Sequence, residues 1–313
     1  MRRLITLLTV AGMALSGLIT VAGLAAHATT PGENGRIAFS MDRGSGAEIY
    51  TIRVDGSGLR RLTHLDGNAV AASWSPDGTR IAFWLEDEAL YVMNADGSDQ
   101  HIVKAGGGRE GTPAFTPDGN HLVYEGGNRD RPSGIFLMRA DGSDAPGRRL
   151  TTTPFPHWGD VNPEVSPDGQ TVTFARLKGE GLSALFAVDI DGSDVRKLVP
   201  YRASVGTKHD WAPDGNHILI TRCVECPDEN PNVATIRPDG SDLTMVTKVR
   251  RPGVMAFAGS YSPNGRSIVY HRDNLDLEVF RMFEVRPDGR DRTLIAKTPF
   301  APRGNDWGPR PRS

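Results

Sequence analysis

Several features of common enzymes and nucleic-acid-binding proteins are absent from this chain of 313 residues. No Gly-x-Ser-x-Gly elbow appears, which argues against an α/β-hydrolase domain. No glycine-rich phosphate loop opens a helix, and the glycines at 106–108 fall between apolar runs, as in a flexible connector. The formal charge is −2, and loss of Arg2 and Arg3 with an N-terminal segment would leave −4. No basic field is available for nucleic acid.

Cysteine is also scarce, because Cys223 and Cys226 are the only two in the chain. Their C-x-x-C spacing could serve redox chemistry or supply half of a zinc site. No second pair completes a zinc site, and no βαβ pattern surrounds the motif as in thioredoxin-like proteins. The residues alone therefore favour a local disulfide, provided that the chain is exported to oxidising conditions.

The N-terminus predicts such export. Arg2 and Arg3 precede an uncharged segment from Leu4 to Ala26, and an Ala-x-Ala site ends at Ala28. This order is typical of a signal peptide, so we expect residues 1–28 to be removed and the protein to be secreted or held in the cell envelope. An uncleaved anchor is the alternative, since roughly 20 apolar residues can span a bilayer. After cleavage we expect no membrane span, and a monomer.

One turn followed by an alternating strand recurs down the chain. Pro presets the first central φ of the turn, Asp or Asn bonds its own backbone, and Gly takes a positive φ. A second turn, Asp-Gly followed by Ser or Arg, closes a later strand. The first turn occurs five times, at 75–78, 116–119, 166–169, 212–215 and 262–265, and the second six times, at 55–57, 96–98, 141–143, 191–193, 239–241 and 288–290.

Each unit therefore predicts four antiparallel strands, which bury both faces when such sheets stack radially. The fold class is an all-β, six-bladed β-propeller over residues 34–308, with 309–313 as a tail. The first unit begins directly at its second strand, Asn34 to Phe39. We expect the C-terminal segment around Trp307 to supply the missing inner strand and close the ring.

The repeat as a whole, Trp-Ser-Pro-Asp-Gly-x-x-Ile-Ala-Phe followed by Asp-Gly-Ser and Leu-Thr, resembles the TolB-type propeller repeat, a relative of the WD repeat. The resemblance covers residues 34 to 308. It implies an exported six-bladed propeller that binds proteins, and in some members a propeller joined to a serine peptidase. No separate α/β domain precedes this propeller as in TolB itself.

The two stereotyped turns share one face of such a ring, whereas the other loops vary in length and composition. Variable loops on a rigid scaffold concentrate binding groups. We therefore place the function on this irregular face, with two aromatics and an imidazole on one loop. The predicted binding residues are Phe155, His157, Trp158, Asp160, Lys208 and His209. Packing of Phe155 and Trp158 over the core is the alternative.

In register, the inner strands bring carboxylates towards the central channel. Glu164, Asp210 and Asp306 could hold a divalent cation, because hard metals take clustered carboxylates. His157 and His209 would suit a transition metal. Neither pattern has a diagnostic spacing, and hydrogen bonding of these side chains to neighbouring backbone is the expected alternative, so no cofactor is required.

Two functions follow from this reading. The first is an exported, non-catalytic propeller that binds a protein or cell-surface polymer through its irregular face. The second is a carbohydrate-active enzyme, a polysaccharide lyase or glycosidase, with its site at the channel. Close titratable groups in one pocket would favour the enzyme.

Overall fold

The computed structural model describes residues 32–311, except 43, 45, 107–110, 129–130, 155–157, 179–181, 202–204, 224–229 and 299–300. The described residues form six four-stranded antiparallel sheets, the blades. Blade 1 contains β1 (Asn34–Asp42), β2 (Ala47–Ile52) and β3 (Arg60–Arg61). Blade 2 contains β4 (Ala69–Trp74), β5 (Arg80–Leu85), β6 (Ala89–Asn94) and β7 (His101–Ala105). Blade 3 contains β8 (Gly111–Phe115), β9 (His121–Asn128), β10 (Arg131–Arg139) and β11 (Arg148–Arg149).

The remaining blades repeat the same order. Blade 4 contains β12 (Trp158–Val165), β13 (Thr171–Lys178), β14 (Leu182–Asp189) and β15 (Arg196–Val199). Blade 5 contains β16 (Val205–Trp211), β17 (Ile218–Arg222), β18 (Asn232–Ile236) and β19 (Thr244–Met245). Blade 6 contains β20 (Val254–Tyr261), β21 (Ile268–Asn274), β22 (Val279–Val285) and β23 (Thr293–Thr298), with one 3₁₀ turn at Leu275–Leu277.

The predicted closure is confirmed by the last strand, β24 (Arg303–Pro309), which pairs antiparallel with β1 as the inner strand of blade 1. Ile37 lies opposite Trp307 in this pairing. Inner strands of successive blades pack against each other around the ring, and β24 contacts both β20 and β4. The two ends of the propeller are therefore joined within one sheet, which leaves no blade open at the seam.

The hydrophobic core is divided among the six blade interfaces. Phe83 and Trp74 of blade 2, for example, pack on Ala38 and Ile49 of blade 1, and Trp307 packs on Met282 of blade 6. One position on each inner strand, directly before the first turn or at its counterpart on β24, is buried in every blade, and we call these residues the anchors: Trp74, Phe115, Val165, Trp211, Tyr261 and Trp307. Apolar alternation along the strands thus serves contacts between blades, since both faces of each sheet are covered.

The Asp-Gly-Ser turns contact the preceding blade as well as reversing the chain. Gly142 has φ +72°, and a Cβ at this position would overlap the carbonyl oxygen of Val103 in blade 2. Gly240 has the same relation to Leu198 O of blade 4. Glycine is required at these turns both for the backbone conformation and for the close approach of the preceding blade.

Candidate functional site

The register position before each anchor holds Ser73, Ala114, Glu164, Asp210, Ser260 and Asp306, and all of these except Ser260 line one small cavity. Three of these side chains accept a hydrogen bond from the backbone of the following blade. Asp306 Oδ2 accepts from Trp74 N–H, Asp210 Oδ2 from Tyr261 N–H and Ser260 Oγ from Trp307 N–H, each at 2.7 Å. The hydrogen-bonding alternative that we considered for the channel carboxylates is therefore present in the structure at Asp210 and Asp306.

Lys208 neutralises part of the acidic channel. Its Nζ lies 2.5 Å from Glu164 Oε1, and its ammonium also attracts Asp306 and Asp210. Burial alone would lower the pKa of Lys208, but the three carboxylates outweigh it and the pKa is raised. Lys208 is therefore a cation at neutral pH, held among three acidic side chains.

The channel carboxyls are themselves perturbed. Burial raises the pKa of Asp306 and of Glu164 above its ordinary value, although Lys208 opposes the shift. Burial and then the charge of Glu164 raise the pKa of Asp210 well above its ordinary value. These shifts follow from removing several like charges from water together, for which one ammonium compensates only in part.

A cation held by Glu164, Asp210 and Asp306 was one expectation from the sequence. The described residues contain no group of three or more His, Cys, Asp or Glu side chains arranged to hold a metal ion. The Lys208 ammonium already lies among these three carboxylates. A divalent cation at these carboxylates therefore stays a prediction.

A funnel of about 480 Å³ opens from the channel towards the irregular face. Val70, Pro113, Pro163 and Phe257 contribute apolar surface to it. Its charged lining residues are Glu86, Glu164, Lys208, His271 and Arg303, with His271 charged only when protonated. A much smaller cavity of about 30 Å³ lies beside Glu164, Asp210 and Asp306, near the first turns, with room for about one water molecule.

One wall of the funnel contains polar residues that sequence reasoning missed. His271 is stacked on Phe257, with ring centroids 5.1 Å apart, and its Nδ1 lies 3.3 Å from Asn305 Nδ2. Burial lowers the pKa of His271 to about 3 and raises the pKa of Asp273 to about 6. The only signal was a His and an Asp, two residues apart, within the otherwise strand-like run Ile268–Asn274.

Trp158 lies on a strand instead of the loop that we had predicted, because β12 begins at this residue and pairs with Lys178 of β13. Its ring packs edge-on against Tyr201 at 5.6 Å, with Lys178 Nζ 5.7 Å from the Trp158 centroid. Trp158 and Tyr201 are half-buried and Lys178 is exposed. We call Trp158, Tyr201 and Lys178 the aromatic patch. Trp158 packs within it against Tyr201, as in the packing alternative, and the patch is still partly exposed to a partner.

Two other predicted binding residues are buried in internal contacts. Asp160 forms a two-point ion pair with Arg176, at 2.6 and 2.8 Å, and accepts a hydrogen bond from Thr151 Oγ1 of blade 3. His209 Nε2 lies 3.0 Å from Thr173 Oγ1 of blade 4. Neither Asp160 nor His209 lines the funnel. Of the predicted binding residues that the structure describes, Lys208 does line it.

Some of the residues named in the remaining predictions lie outside the part of the chain that the structure describes. Phe155, His157 and residues 1–28 lie outside them. Cys223 is buried and disulfide-bonded, and the chain's other cysteine, Cys226, lies outside the described residues. No helix in the described part of the chain is both long and apolar enough to cross a bilayer.

The fold and the repeat can now be compared with known proteins. Residues 85–311 match the profile of the TolB beta propeller domain. The chain belongs to this family. Its predicted resemblance to TolB-type propellers is therefore confirmed over more than half of its length.

Individual relatives of this TolB-type propeller agree with the assignment. A TolB homolog of Chlorobium luteolum is 30% identical over 66% of this chain and 46% of its own length. A dipeptidyl-peptidase 5 of Porphyromonas gingivalis is 27% identical over 75% of this chain and 35% of its own. The chain thus spans less than half of either relative.

The crystal structure of TolB from Acinetobacter baumannii superposes on 88% of this TolB-type propeller and 67% of that chain, with a TM-score of 0.72. Sequence identity between the two is 20%, so this likeness concerns the fold. Function has to be argued from the site, because one propeller scaffold serves many functions.

Proposed function

We propose that this chain is an exported, non-catalytic propeller that binds a protein or cell-surface polymer through its irregular face, with part of the partner entering the funnel. The funnel carries the proposal. Its volume of about 480 Å³ is within the range of ligand-binding pockets, and apolar side chains form much of its wall. It opens on the face where the loops of the six blades differ from one another.

The charges at the base of the funnel support binding more than catalysis. Glu164 is engaged by Lys208, and Asp210 and Asp306 each accept a backbone hydrogen bond from a neighbouring blade. Carboxylates used in this way stabilise the ring and provide a fixed electrostatic surface. A partner that enters the funnel would meet the Lys208 ammonium together with Arg303 at the rim.

The patch of Trp158, Tyr201 and Lys178 supplies a second contact on the same face. Aromatic rings with a polar group are favoured in protein interfaces because they bury large areas at low conformational cost. In this proposal the funnel selects the inserted segment and the patch contacts the surrounding surface of the partner.

A carbohydrate-active enzyme is the second candidate, and the raised pKa values of Glu164, Asp210 and Asp306 favour it. Carboxyls with raised pKa values act as general acids in glycoside hydrolysis. Of the three channel acids Glu164 alone lines the funnel, and Asp160 and His209 are also absent from its lining, so this candidate would rest mainly on Glu164.

Capture of partners from native envelope and extracellular fractions tests the proposal. The mature chain is compared with Val70→Trp, which fills the funnel, and with Trp158→Ala, which removes the ring from the patch. Leu243→Trp adds the same side chain at an exposed site on the other face. We expect a specific protein or polymer that wild type and Leu243→Trp retain, and that each site variant captures at least about fivefold less.

Parallel assays separate the two candidates. Capture is repeated with a chelator, and the protein is incubated with acidic polysaccharides while new reducing or unsaturated ends are measured. Equal capture by wild type and both site variants would contradict the proposed site. Turnover of a polysaccharide that Glu164→Gln abolishes would replace the binding platform with the enzyme.

A further inference from the structure

We propose that the turn between β2 and β3 of blade 1 is a binding site for a phosphate group, formed by the guanidinium groups of Arg36, Arg53 and Arg60. The site lies on the face of the stereotyped turns, opposite the funnel. It is therefore a second site, and it does not depend on the binding function proposed above.

Two of these guanidinium groups converge on Gly58. Arg36 is fixed by Nε donating to Thr51 Oγ1 at 3.0 Å and by Nη2 donating to Thr51 O and to Gly58 O. Arg36 Nη1 and Arg53 Nη1 lie 3.5 and 2.8 Å from the point where a Cβ of residue 58 would lie. Glycine at this turn therefore provides the space that both side chains share.

Asp55 balances only part of the positive charge at this turn. Within the described residues none of the three arginines forms an ion pair within 4.0 Å, and Arg53 and Arg60 are exposed. Burial, then Arg60 and then Arg53, lower the pKa of Arg36, with Asp55 opposing. The Asp55 carboxylate already accepts a hydrogen bond from Ser57 N at 2.8 Å. An anion placed here would relieve the mutual repulsion.

The other blades show how this turn is normally neutralised. Five blades hold aspartate at the position of Gly58, namely Asp99, Asp144, Asp194, Asp242 and Asp291. Asp242 and Asp291 pair with Arg237 and Arg286, at the position of Arg53, at 3.2 and 3.5 Å. Asp194 pairs at 2.9 Å with Arg196, at the position of Arg60. Blade 1 carries both arginines and lacks the aspartate.

The chemistry of the cluster points to a tetrahedral oxyanion. A guanidinium presents parallel N–H donors that match two oxygens of a phosphate, and arginine is favoured where such forked recognition occurs. Arg36 is held in place, Arg53 Nη1 donates to Ser57 Oγ at 3.3 Å, and both Arg53 and Arg60 are exposed side chains that could reach the outer oxygens. The phosphate could be free in solution or part of a lipid headgroup, and the same contacts would hold it.

Gly58→Asp restores the aspartate of the other blades and is the decisive variant. Asp99, Asp194 and Asp242 have φ of 52°, 51° and 57°, close to the 63° of Gly58, so the backbone accepts the change. Only the flexible end of Arg53 has to move. Arg60→Ala removes one guanidinium, and Arg290→Ala, whose side chain is 81% exposed in the equivalent turn of blade 6, is the charge-matched control.

Titration calorimetry with inorganic pyrophosphate, at an ionic strength held constant with chloride, measures the site. We expect saturable binding by wild type and Arg290→Ala. The affinity of Gly58→Asp and of Arg60→Ala should be weaker by about tenfold or more, because each loses charge-assisted hydrogen bonds to the phosphate. Sedimentation with phosphatidylglycerol and phosphatidylcholine vesicles identifies the source. A lipid headgroup predicts sedimentation with phosphatidylglycerol alone, sensitive to Gly58→Asp.

Calorimetry and vesicle sedimentation together test the proposed phosphate site. Pyrophosphate binding without variant-sensitive sedimentation assigns a soluble phosphate. If wild type, Gly58→Asp and Arg60→Ala behave alike towards both pyrophosphate and vesicles, and all three unfold at the same temperature, the proposal is wrong.

Discussion

The Asp-Gly-Ser turns and the Leu-Thr pairs show how single residues act in every blade where they occur. The turn aspartate accepts a hydrogen bond from the residue two positions on, as Asp141 does from Ser143 N at 3.0 Å. Hydrogen bonds from Ser143 lower the pKa of Asp141 to about 2. The threonine hydroxyl of Leu-Thr accepts from strand backbone, as Thr151 Oγ1 does from Ile135 N at 3.0 Å. The turn contact is local, so its sequence motif alone specifies it, whereas the threonine contact also needs the strand pairing that brings Ile135 beside Leu150.

Asp273 is the residue for which we predict the clearest pH dependence. It is buried, its Oδ1 has no hydrogen-bond partner among the described residues, and its pKa is raised to about 6. A raised carboxyl pKa in the folded state means that the fold is destabilised as pH rises through about 4 to 6. His271, with a pKa of about 3, stays neutral throughout this window.

Asp273→Asn should therefore stabilise the protein at neutral pH by about 3 °C in Tm. The gain should shrink as pH falls and vanish below about pH 3, where the wild-type carboxyl is protonated in both the folded and the unfolded state. Thermal unfolding across this range measures it, with the exposed Asp66→Asn as control. A gain that is independent of pH would show that the charge of Asp273 is not responsible.

At the scale of elements, inner strands are held by packing and by side chains that reach the next blade. Apolar anchors could be predicted because their alternation with polar residues is visible in the sequence. The bond from Asp306 on β24 to Trp74 N on β4 could not, since it joins residues far apart in sequence. The same limit applies to Lys208 on β16 and Glu164 on β12.

Asp306→Ala should lower the free energy of unfolding by about 1–3 kcal/mol, because the buried Trp74 N–H loses its acceptor. Asp306→Asn keeps a carbonyl oxygen and should cost less. Ser73→Ala is the matched control, at the same register position on β4 with no described bond to the next blade. Denaturant unfolding compares the three, and equal losses in all three would remove the role assigned to this hydrogen bond.

For the whole molecule, β24 determines whether six sheets become one ring. Truncation after residue 302 removes the inner strand of blade 1. The edge of β1 is then exposed, and Trp74 on β4 loses the strand that covers it. We expect the truncated chain to lose cooperative unfolding and to be cleaved rapidly by protease. Truncation after residue 311 leaves β24 intact and should behave as wild type. A truncated chain that resists protease would contradict the role of the closure.

The sequence by itself determined the number of blades, their strand order and the closure by the C-terminal strand. These features follow from turn chemistry and from apolar alternation, which are local and repeated. It also predicted the channel position of Glu164, Asp210 and Asp306 from register alone.

Only the tertiary structure decided what those residues do and which of them meet. Asp160 and His209 are used inside blade interfaces, Lys208 lies among the channel acids, and His271 lines the funnel. Arg36 and Arg53, which are 17 positions apart, converge on Gly58, and Arg60 is close enough to act on Arg36 electrostatically. The channel and interface groupings depend on the packing of blades about the ring axis, and the arginine grouping depends on the pairing of β1, β2 and β3 within blade 1, so no local pattern encodes either geometry.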